Sequence, residues 1–252
     1  MHLLLSSLQA LEKNHIDLWF IDPNTISAQS IQDLSSVLSH SEAEKLAQYK
    51  NKSAQHTALV TRSISRIILA NYTQLSASEI SFVRNQHGKP ELEKNINNVQ
   101  FNLSHNHHLI VMAVCVNDDI GCDIESPLRK VNIEPITRRY FSKQEHKQLI
   151  ELNDEKKQQR FFELWTLKEA FVKATGVGIS LGLDTFHFSF NKNKLTSNIN
   201  LAFNSHYPLD KNVQWQLYQA AFKNQMLAIC RANELPQNVN FLDASQLIKK
   251  SK

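Results

Sequence analysis

Glycine is scarce in this chain and confined to its middle, which limits the folds available to it. Only five of the 252 residues are glycine, whereas average usage of about 7% would give roughly 18. The five are Gly88, Gly121, Gly176, Gly178 and Gly182. Few backbone positions can therefore take a positive φ or approach a ligand closely. Neither G-x-G-x-x-G nor G-x-x-x-x-G-K-[ST] occurs, so we expect neither a Rossmann domain nor a P-loop NTPase.

The hydrophobic pattern predicts a protein of the α+β class. Apolar residues recur at helical spacing in four segments, and they alternate or cluster as in strands in six others. The predicted helices are 29–52, 54–72, 142–152 and 155–174, and the predicted strands are 16–21, 80–84, 109–116, 184–190, 213–220 and 226–230. Helices followed by strands occur twice, so we expect two similar α+β halves rather than alternating β-α-β units.

A polar turn at 117–119 separates two apolar runs and marks the predicted domain junction. We predict an N-terminal half at 1–118, a C-terminal half at 119–232 and a polar, basic, loosely attached tail at 233–252. The net charge of +4 is unevenly distributed. Residues 1–119 carry 9 Lys and Arg against 11 Asp and Glu, whereas the remainder carries 19 against 13. The basic second part suits an acidic partner or phosphates, although mixed charges also occur on ordinary solvated surfaces.

Cysteine usage and the N-terminus bear on the cellular compartment. The three cysteines, Cys115, Cys122 and Cys230, are an odd number and have no C-x-x-C spacing, which favours reduced thiols over disulfides. The apolar run near the N-terminus has no basic segment before it, and it is too short to span a bilayer. We therefore expect a soluble, cytoplasmic protein that does not bind membranes.

Two carboxylates stand at strand spacing in the segment Gly121-Cys122-Asp123-Ile124-Glu125. In an extended backbone, Asp123 and Glu125 point to the same side. Because Mg²⁺ prefers a few carboxylates completed by substrate phosphates and water, the pair is a candidate magnesium site. Two unconnected acids at the surface of a strand are the alternative interpretation.

A helical segment at 161–173 carries a second pair of charges. Glu169 and Lys173 are four residues apart and therefore lie on one helical face. An ordinary helix-stabilising ion pair explains this spacing, and so does a pair of catalytic side chains. Trp165 lies one turn before Glu169, and Gly176 is a candidate C-terminal cap of the helix.

The segment Asn102-Leu103-Ser104-His105 precedes an apolar run and carries candidate hydrogen-bond donors. Ser104 and His105 are suited to binding phosphate, and exposed turn residues are the alternative. Further histidines follow directly, but no cysteine or acidic ligand stands at zinc-motif spacing. We therefore favour phosphate binding over zinc binding for this segment.

The turn Gly88-Lys89-Pro90 presents cations together with the preceding Arg84. Gly88 permits a tight turn, and Pro90 fixes the direction in which the chain leaves it. Arg84 and Lys89 are therefore candidates for gripping phosphate. Gly-Lys-Pro is also a common turn sequence without a ligand.

Taken together and in this order, these segments resemble the Sfp-type 4′-phosphopantetheinyl transferases. The matching elements are Arg62, Gly88-Lys89-Pro90, Asn102-x-Ser104-His105, Gly121-x-Asp123-x-Glu125, Phe141-Ser142-x-x-Glu145 and Trp165-x-x-Lys168-Glu169-Ala170-x-x-Lys173. Members of that family carry just over forty residues between the D-x-E and K-E-x-x-x-K elements, and 43 residues lie between Glu125 and Glu169 here. The resemblance covers roughly residues 15–230, and these two elements are its most specific part.

The resemblance implies an enzyme that transfers the 4′-phosphopantetheine group of coenzyme A to a serine of an apo acyl or peptidyl carrier protein and releases 3′,5′-ADP. It implies Mg²⁺ as cofactor and an acidic carrier protein as partner, with no role for nucleic acid. It also implies two similar α+β halves with the active site in the cleft between them. The first half would grip the nucleotide, and the second would carry the metal site and the catalytic helix. A two-halved chain needs no second copy to complete its site, so a monomer is expected.

The resemblance also assigns roles to individual residues. Asp123, Glu125 and Glu169 are implied as metal ligands. Glu169 and Lys173 are implied as catalytic residues, Glu169 as the base toward the carrier serine and Lys173 as a contact to the phosphates. The residues implied to bind coenzyme A are Arg62, Arg84, Lys89, Ser104, His105, Asp123 and Lys173, with Lys168 in a secondary role.

Two other classes of function stay open at the level of sequence. One is a carrier-protein or coenzyme A-binding module that has lost catalysis, against which the presence of Asp123, Glu169 and Lys173 argues. The other is a basic nucleic-acid-binding protein, which rests only on an isoelectric point near 8.9 and lacks any basic-aromatic recognition module. Within the transferase interpretation, carriers of fatty-acid, polyketide and non-ribosomal peptide synthesis all fit.

Overall fold

The computed structural model describes residues 11, 14–95, 97–190, 199–235 and 238–248. The chain divides into two compact units. The first unit comprises the described residues within Met1–Arg84, Pro90–Asn117 and Gln237–Lys252, and the second comprises those within Asn85–Lys89 and Asp118–Pro236. Both units contain helices and strands, which confirms the predicted α+β class.

The helices and strands of the described residues follow in chain order. The strands are β1 (His15–Ile21), β2 (Phe82–Arg84), β3 (Pro90–Leu92), β4 (Val99–His105), β5 (Ile110–Val116), β6 (Ile120–Glu125), β7 (Phe186–Phe190), β8 (Ile199–Phe203), β9 (Trp215–Phe222), β10 (Gln225–Ala232) and β11 (Asn238–Asp243). The helices are α1 (Ala28–Ser35), α2 (His40–Ala47), α3 (Lys52–Ala70), α4 (Ile133–Tyr140), α5 (Lys143–Ile150), α6 (Asp154–Thr175) and α7 (Ser245–Ile248). In the described part of the chain, none of the helices is both long enough and apolar enough to cross a lipid bilayer.

A four-stranded sheet forms the centre of the first unit, in the order β11-β1-β5-β4. β1, β5 and β4 pair antiparallel, and β11 joins β1 in parallel. The helix α3 contributes Val60, Ile64 and Ile68 to the same hydrophobic core as Trp19 and Met112 of the sheet. Apolar residues four apart share one helical face, so α3 can bury that face against the sheet.

The C-terminal segment belongs to the first unit, so the loose attachment predicted for a tail at 233–252 is wrong for the described part of it. All six residues of β11 pair with β1, and Leu242 and Ala244 pack in the core of the first unit. Asn240 Nδ2 also donates a hydrogen bond of 3.1 Å to Asp17 Oδ1. The polar composition was misleading because an edge strand is held largely by backbone pairing and needs few apolar residues.

The single helix predicted at 29–52 is in fact two helices, α1 and α2. The second begins at a capping box, in which Ser39 Oγ accepts a hydrogen bond from Glu42 N and Glu42 Oε2 accepts one from Ser39 N. Such a box starts a new helix because it satisfies two backbone donors at once. Asn51 caps the start of α3 in a similar way with its side-chain oxygen.

In the second unit, the antiparallel sheet β6-β10-β9 packs against α6, a helix of 22 residues. Phe161, Phe162 and Phe171 of α6 are fully buried, and the centre of the Phe171 ring lies 4.6 Å from that of Phe186. The helix ends at Gly176, whose φ of +69° is left-handed. This confirms the predicted glycine cap, which adopts that conformation without a steric penalty.

Candidate active site

A glycine on β6 lets this strand approach α6 closely. A Cβ atom at Gly121 would collide with the backbone oxygen of Ala170 and the backbone nitrogen of Ala174, both on α6. Any larger residue would therefore push the helix away from the strand. Because side chains alternate along a strand, Asp123 and Glu125 leave β6 on the same face as Gly121, which is the face toward α6.

Asp123 and Lys173 meet at this contact between strand and helix. Lys173 Nζ donates a hydrogen bond of 2.7 Å to Asp123 Oδ1 and one of 3.3 Å to the backbone oxygen of Cys122. The side chain of Asp123 is 7% exposed and that of Lys173 is 28% exposed. The pair is thus largely shielded from water while part of the lysine stays accessible. The helical face predicted to carry Glu169 and Lys173 is the one that brings Lys173 to the D-x-E strand.

The carboxyl groups of Asp123, Glu125 and Glu169 influence one another. Burial raises the pKa of Glu125, and the charge of Asp123 raises it further. Burial and the charge of Asp123 likewise raise the pKa of Glu169. For Lys173, burial lowers the pKa, but the charge and hydrogen bond of Asp123, together with Cys122 and the charge of Glu169, outweigh that effect and the net pKa is raised. The site therefore concentrates negative charge that a bound cation would neutralise.

Glu125 has two partners outside this group of carboxylates. Arg129 Nη2 lies 3.0 Å from Glu125 Oε1, and the Trp165 side chain donates a hydrogen bond to Glu125. The indole of Trp165 stacks on Phe141 and Phe161, with ring centres 6.3 Å and 5.8 Å away, and this packing orients it. Sequence reasoning missed Arg129, because a single basic residue after a strand carries no distinguishing signal.

The donor chemistry of the site fits Mg²⁺. Carboxylate oxygens are ligands that this ion prefers, and it usually takes one or two of them together with substrate phosphates and water. Among the residues that the structure describes, no group of three or more His, Cys, Asp or Glu side chains is arranged to hold a metal by itself. The arrangement suits an ion whose shell is completed by phosphate oxygens and water rather than one held in a closed protein cage.

Lys168 is fully buried, although it is adjacent to Glu169 in sequence. Its Nζ lies 2.8 Å from Glu145 Oε2 and donates hydrogen bonds to the backbone oxygens of Leu183 at 2.8 Å and Phe186 at 3.0 Å. These three acceptors match the three donors of an ammonium group. Burial lowers the pKa of Lys168, and the Glu145 carboxylate opposes that shift. Lys168 is not accessible to a phosphate here, so the secondary role in coenzyme A binding does not fit this structure.

Lys89 contacts backbone atoms of the two elements that carry the site. Its Nζ donates hydrogen bonds of 3.2 Å to the backbone oxygens of Ile120, where β6 begins, and Ala174, in the last turn of α6. In the same loop, Asn85 Nδ2 donates a hydrogen bond of 3.0 Å to the backbone oxygen of Gly176. Sequence reasoning missed Asn85; its one signal is the preference of asparagine for turns.

The other residues implied to bind coenzyme A lie in the first unit. The Arg62 guanidinium of α3 lies over the ring of Tyr49, 5.9 Å from its centre. Ser104 and His105 are consecutive on β4, so their side chains leave opposite faces, and Ser104 is buried while His105 is exposed. Arg84, at the end of β2, is exposed. The roles of these four residues stay predictions.

Comparison with known proteins gives two matching family models. Residues 119–230 match a model described as the 4′-phosphopantetheinyl transferase superfamily. Residues 25–117 match a model described as the N-terminal domain of 4′-phosphopantetheinyl transferase. The first match contains the D-x-E strand and the helix of Glu169 and Lys173.

Curated proteins that are similar to the chain carry the same description. The 4′-phosphopantetheinyl transferase ffp of Bacillus subtilis is 32% identical over 161 residues, which cover 64% of this chain and 70% of that protein. The 4′-phosphopantetheinyl transferase HetI of Nostoc sp. is 33% identical over 172 residues, covering 68% and 72%. The 4′-phosphopantetheinyl transferase Sfp of Bacillus subtilis is 27% identical over 224 residues, covering 88% and 95%. The similarity to Sfp therefore extends over most of both proteins.

Proposed function

Since the chain belongs to the 4′-phosphopantetheinyl transferase family, whose members modify carrier proteins, we propose that coenzyme A is its donor and a carrier serine its acceptor. In the proposed reaction, the serine oxygen bonds to the phosphorus of the phosphopantetheine group, and the bond from that phosphorus to 3′,5′-ADP breaks. The observation that carries the proposal is the 2.7 Å contact of Lys173 Nζ with Asp123 Oδ1. Glu125 lies on the same strand face as Asp123, and Glu169 lies one helical turn before Lys173.

We assign binding of Mg²⁺ to Asp123, Glu125 and Glu169. When bound there, the ion would neutralise charge on the pyrophosphate and favour its cleavage. Asp123 is anchored by Lys173 through one carboxylate oxygen, and Glu125 is oriented by Arg129. These contacts hold the carboxylates in place before a substrate arrives, which reduces the reorganisation needed during the reaction.

Glu169 and Lys173 carry the remaining chemistry. Glu169 accepts the proton of the carrier serine, directly or through a water molecule, as the oxygen attacks. Its burial makes the carboxylate a stronger base than one in water. The ammonium group of Lys173 is partly accessible, and it stabilises the charge on the phosphates as the bond to 3′,5′-ADP breaks.

The grip on the nucleotide and its phosphates is assigned to cationic and hydrogen-bonding side chains instead of a glycine-rich loop. The proposed contacts are Arg62, Arg84, Ser104 and His105, whereas the ammonium of Lys89, a fifth candidate from the sequence, donates to the backbone oxygens of Ile120 and Ala174. Guanidinium and ammonium groups neutralise phosphate charge without any demand on backbone conformation. This assignment is consistent with the scarcity of glycine in the chain.

The carrier partner is proposed to be acidic. The chain after residue 119 carries 19 Lys and Arg against 13 Asp and Glu, and opposite charges accelerate the encounter of two proteins. We further propose a cytoplasmic monomer that needs neither nucleic acid nor a membrane. The three cysteines are all buried and form no disulfide among the described residues, which is in keeping with a reducing compartment.

The test is a modification assay with coenzyme A, Mg²⁺ and a panel of apo carrier proteins from the same genome. We expect at least one carrier to gain the mass of one phosphopantetheine group on serine, and chelation of the metal to stop the reaction. Glu169→Gln should lower kcat/KM about 100-fold or more, since loss of a general base costs about 10² to 10⁴ in rate.

The matched control is Glu155→Gln, which removes an exposed carboxylate from the first turn of the same helix. We expect this variant to retain the activity of the wild type. If no carrier is modified, or if Glu169→Gln and Glu155→Gln behave alike, the proposed reaction at this site is wrong.

A further inference from the structure

The loop at 85–89 is organised by the side chain of one residue, Asn85. Its Oδ1 accepts hydrogen bonds from the backbone nitrogens of His87 at 2.9 Å and Lys89 at 3.0 Å. The backbone nitrogen of Asn85 donates to the backbone oxygen of Lys89 at 3.0 Å. Gly88 takes the positive φ of +90° that closes the turn. The amide oxygen of Asn85 is thus committed to the loop, while its amide nitrogen faces outward.

That amide nitrogen reaches the end of α6. Asn85 Nδ2 donates to the backbone oxygen of Gly176 at 3.0 Å. The last four carbonyl groups of any helix lack partners within the helix and must find them elsewhere. Asn85 therefore acts as a cap for α6 that is 91 residues away in sequence.

The Lys89 ammonium adds a second contact at the same helix end. It donates to the backbone oxygen of Ala174, and a positive charge near a helix C-terminus is favourable. It also donates to the backbone oxygen of Ile120, at the start of β6. One side chain therefore links the strand that carries Asp123 to the helix that carries Lys173.

The glycine cap of α6 is shaped for this loop. A Cβ atom at Gly176 would lie 3.0 Å from Asn85 Nδ2 and 3.4 Å from Lys89 Cδ. Both distances are tighter than an ordinary van der Waals contact or at its limit. Gly176 is thus suited to its position by its left-handed φ and also by the close approach of the loop.

We propose that Asn85 and Lys89 are positioning residues that set the end of α6 relative to β6. The contacts of the loop with Gly176, Ala174 and Ile120 place the Lys173 ammonium, one residue before Ala174, against Asp123. The consequence for catalysis rests on the proposed function, in which Lys173 and Asp123 act together. A displacement of about 1 Å in such a group lowers a rate up to about 100-fold.

This role differs from the phosphate grip predicted for Lys89 from the sequence. A phosphate contact would show itself as a raised KM for coenzyme A when the charge of Lys89 is removed. It would also leave Asn85, which has no charge, without effect. A positioning role predicts that both residues act on kcat and that they depend on each other.

The experiment uses the full chain and compares Asn85→Asp, Lys89→Met and the double variant. Asn85→Asp keeps the acceptor that organises the loop but removes the donor to Gly176. We expect each single variant to lower kcat about tenfold with KM for coenzyme A changed less than about twofold, and the double variant to lose little more. Lys89→Arg, which keeps donors at this position, should restore most of kcat.

Gln86→Glu is the matched control for charge in the same exposed loop. Gln86 hydrogen-bonds to its neighbour His87 and has no role in the contact with α6 proposed here. We expect Gln86→Glu to leave kcat unchanged, so that an effect of Asn85→Asp reflects the lost donor rather than the added charge.

Hydrogen exchange in residues 170–178 separates this inference from the proposed function, because it needs no substrate. Asn85→Asp and Lys89→Met should speed exchange there, since an uncapped helix end opens more often. Unchanged exchange, or a KM for coenzyme A that rises in Lys89→Met while Asn85→Asp matches the wild type, overturns the positioning role. If the wild type is inactive toward every carrier, the proposed function is wrong. The exchange result then still tests whether Asn85 and Lys89 cap the end of α6.

Discussion

In both units, the carboxylate of a capping box forms an ion pair with the longest helix, but this ion pair is buried more deeply in the second unit than in the first. In the first unit, Ser39 and Glu42 form a capping box, and Glu42 Oε2 accepts hydrogen bonds from Arg66 on α3. In the second unit, Ser142 and Glu145 form the box, and Glu145 Oε2 lies 2.8 Å from Lys168 Nζ on α6. Each box thus starts a short helix and ties it to the long helix that follows.

The two ion pairs differ in their access to water. The side chain of Glu42 is 17% exposed, whereas that of Glu145 is 1% exposed. Lys168 lies near the faces of aromatic rings, with the centre of the Phe186 ring 4.6 Å from its Nζ. The same local motif thus supports one long helix through a partly hydrated ion pair and another through a fully buried one. The helix with the fully buried pair is α6, which carries Glu169 and Lys173.

The largest expected effect comes from removing the cation in the buried pair. Lys168→Met leaves the Glu145 carboxylate buried without a charge partner, and breaking a buried pair in this way costs about 3–5 kcal/mol. Arg66→Met should cost less, about 1–3 kcal/mol, because water can reach the Glu42 carboxylate that remains. Denaturant unfolding checks this, with Trp19 reporting on the first unit and Trp215 on the second.

A double variant tests whether the charge of the pair or its packing supports α6. Replacing both groups, as in Glu145→Leu with Lys168→Met, removes the unpaired charge and should recover a large part of the lost stability. The equivalent double change of Glu42 and Arg66 should recover less, since less was lost. Arg66 also donates to the backbone oxygens of Ala77 and Ile80, and these hydrogen bonds are lost in both the single and the double variant. Equal recovery in the two double variants would therefore show that the difference in burial does not change the energy of the ion pair.

The pH dependence of stability sharpens the comparison for the first unit. Burial raises the pKa of Glu42, but hydrogen bonds from Ser39 and Arg66 and the positive charge of Arg66 together outweigh it, so the net pKa lies below its ordinary value of 4.5. The unfolded chain therefore takes up this proton before the folded chain does. The stabilisation is complete above the unfolded pKa and is lost as the pH falls through the folded pKa.

Glu42→Gln isolates this contribution because it removes the titrating group. The difference in free energy of unfolding between wild type and Glu42→Gln should be constant well above pH 4.5 and should shrink as the pH falls below that value. Asp33→Asn, at an exposed position of α1, is the control and should leave the pH profile of the wild type unchanged. A difference that grows on acidification would contradict the lowered pKa of Glu42.

The sequence predicts the residues of the site better than the contacts that place them. The two-residue period of a strand and the near-four-residue period of a helix suffice to put Asp123 with Glu125 and Glu169 with Lys173. The approach of the two elements depends on Gly121, where the α6 backbone leaves no room for a side chain. A close approach of this kind is a property of the tertiary structure, so the local pattern does not reveal it.

Contacts between distant segments were beyond prediction for a related reason. Ser142-x-x-Glu145 is recognisable as a capping box, but the partner of its carboxylate, Lys168, belongs to a residue type that is almost never fully buried. The contact of Asn85 with Gly176 joins residues 91 apart. No repeating sequence pattern relates residues so far apart. The hydrogen bond is needed only because the folded chain leaves the backbone oxygen at the end of α6 without a partner within the helix.

The smallest expected effect comes from removing the two capping hydroxyls. Replacing a serine cap by alanine costs about 0.5–2 kcal/mol. Ser39→Ala should lie near the lower end of that range, because its partner Glu42 is partly hydrated. Each serine hydroxyl also donates to the carboxylate of its box, at 3.0 Å in the first and 2.9 Å in the second. Ser142→Ala should lie near the upper end, because the Glu145 carboxylate is buried. That carboxylate would then lose one of the donors that compensate its burial.

Thermal unfolding of the two serine variants, with Ser53→Ala as a control at an exposed position near the start of α3, measures the difference. A larger loss of stability in Ser142→Ala than in Ser39→Ala would show that burial increases the contribution of the second capping box. The reverse order would mean that the first box contributes more to its helix than its exposure suggests. In that case, the depth of the ion pair would not be what distinguishes α6 from α3.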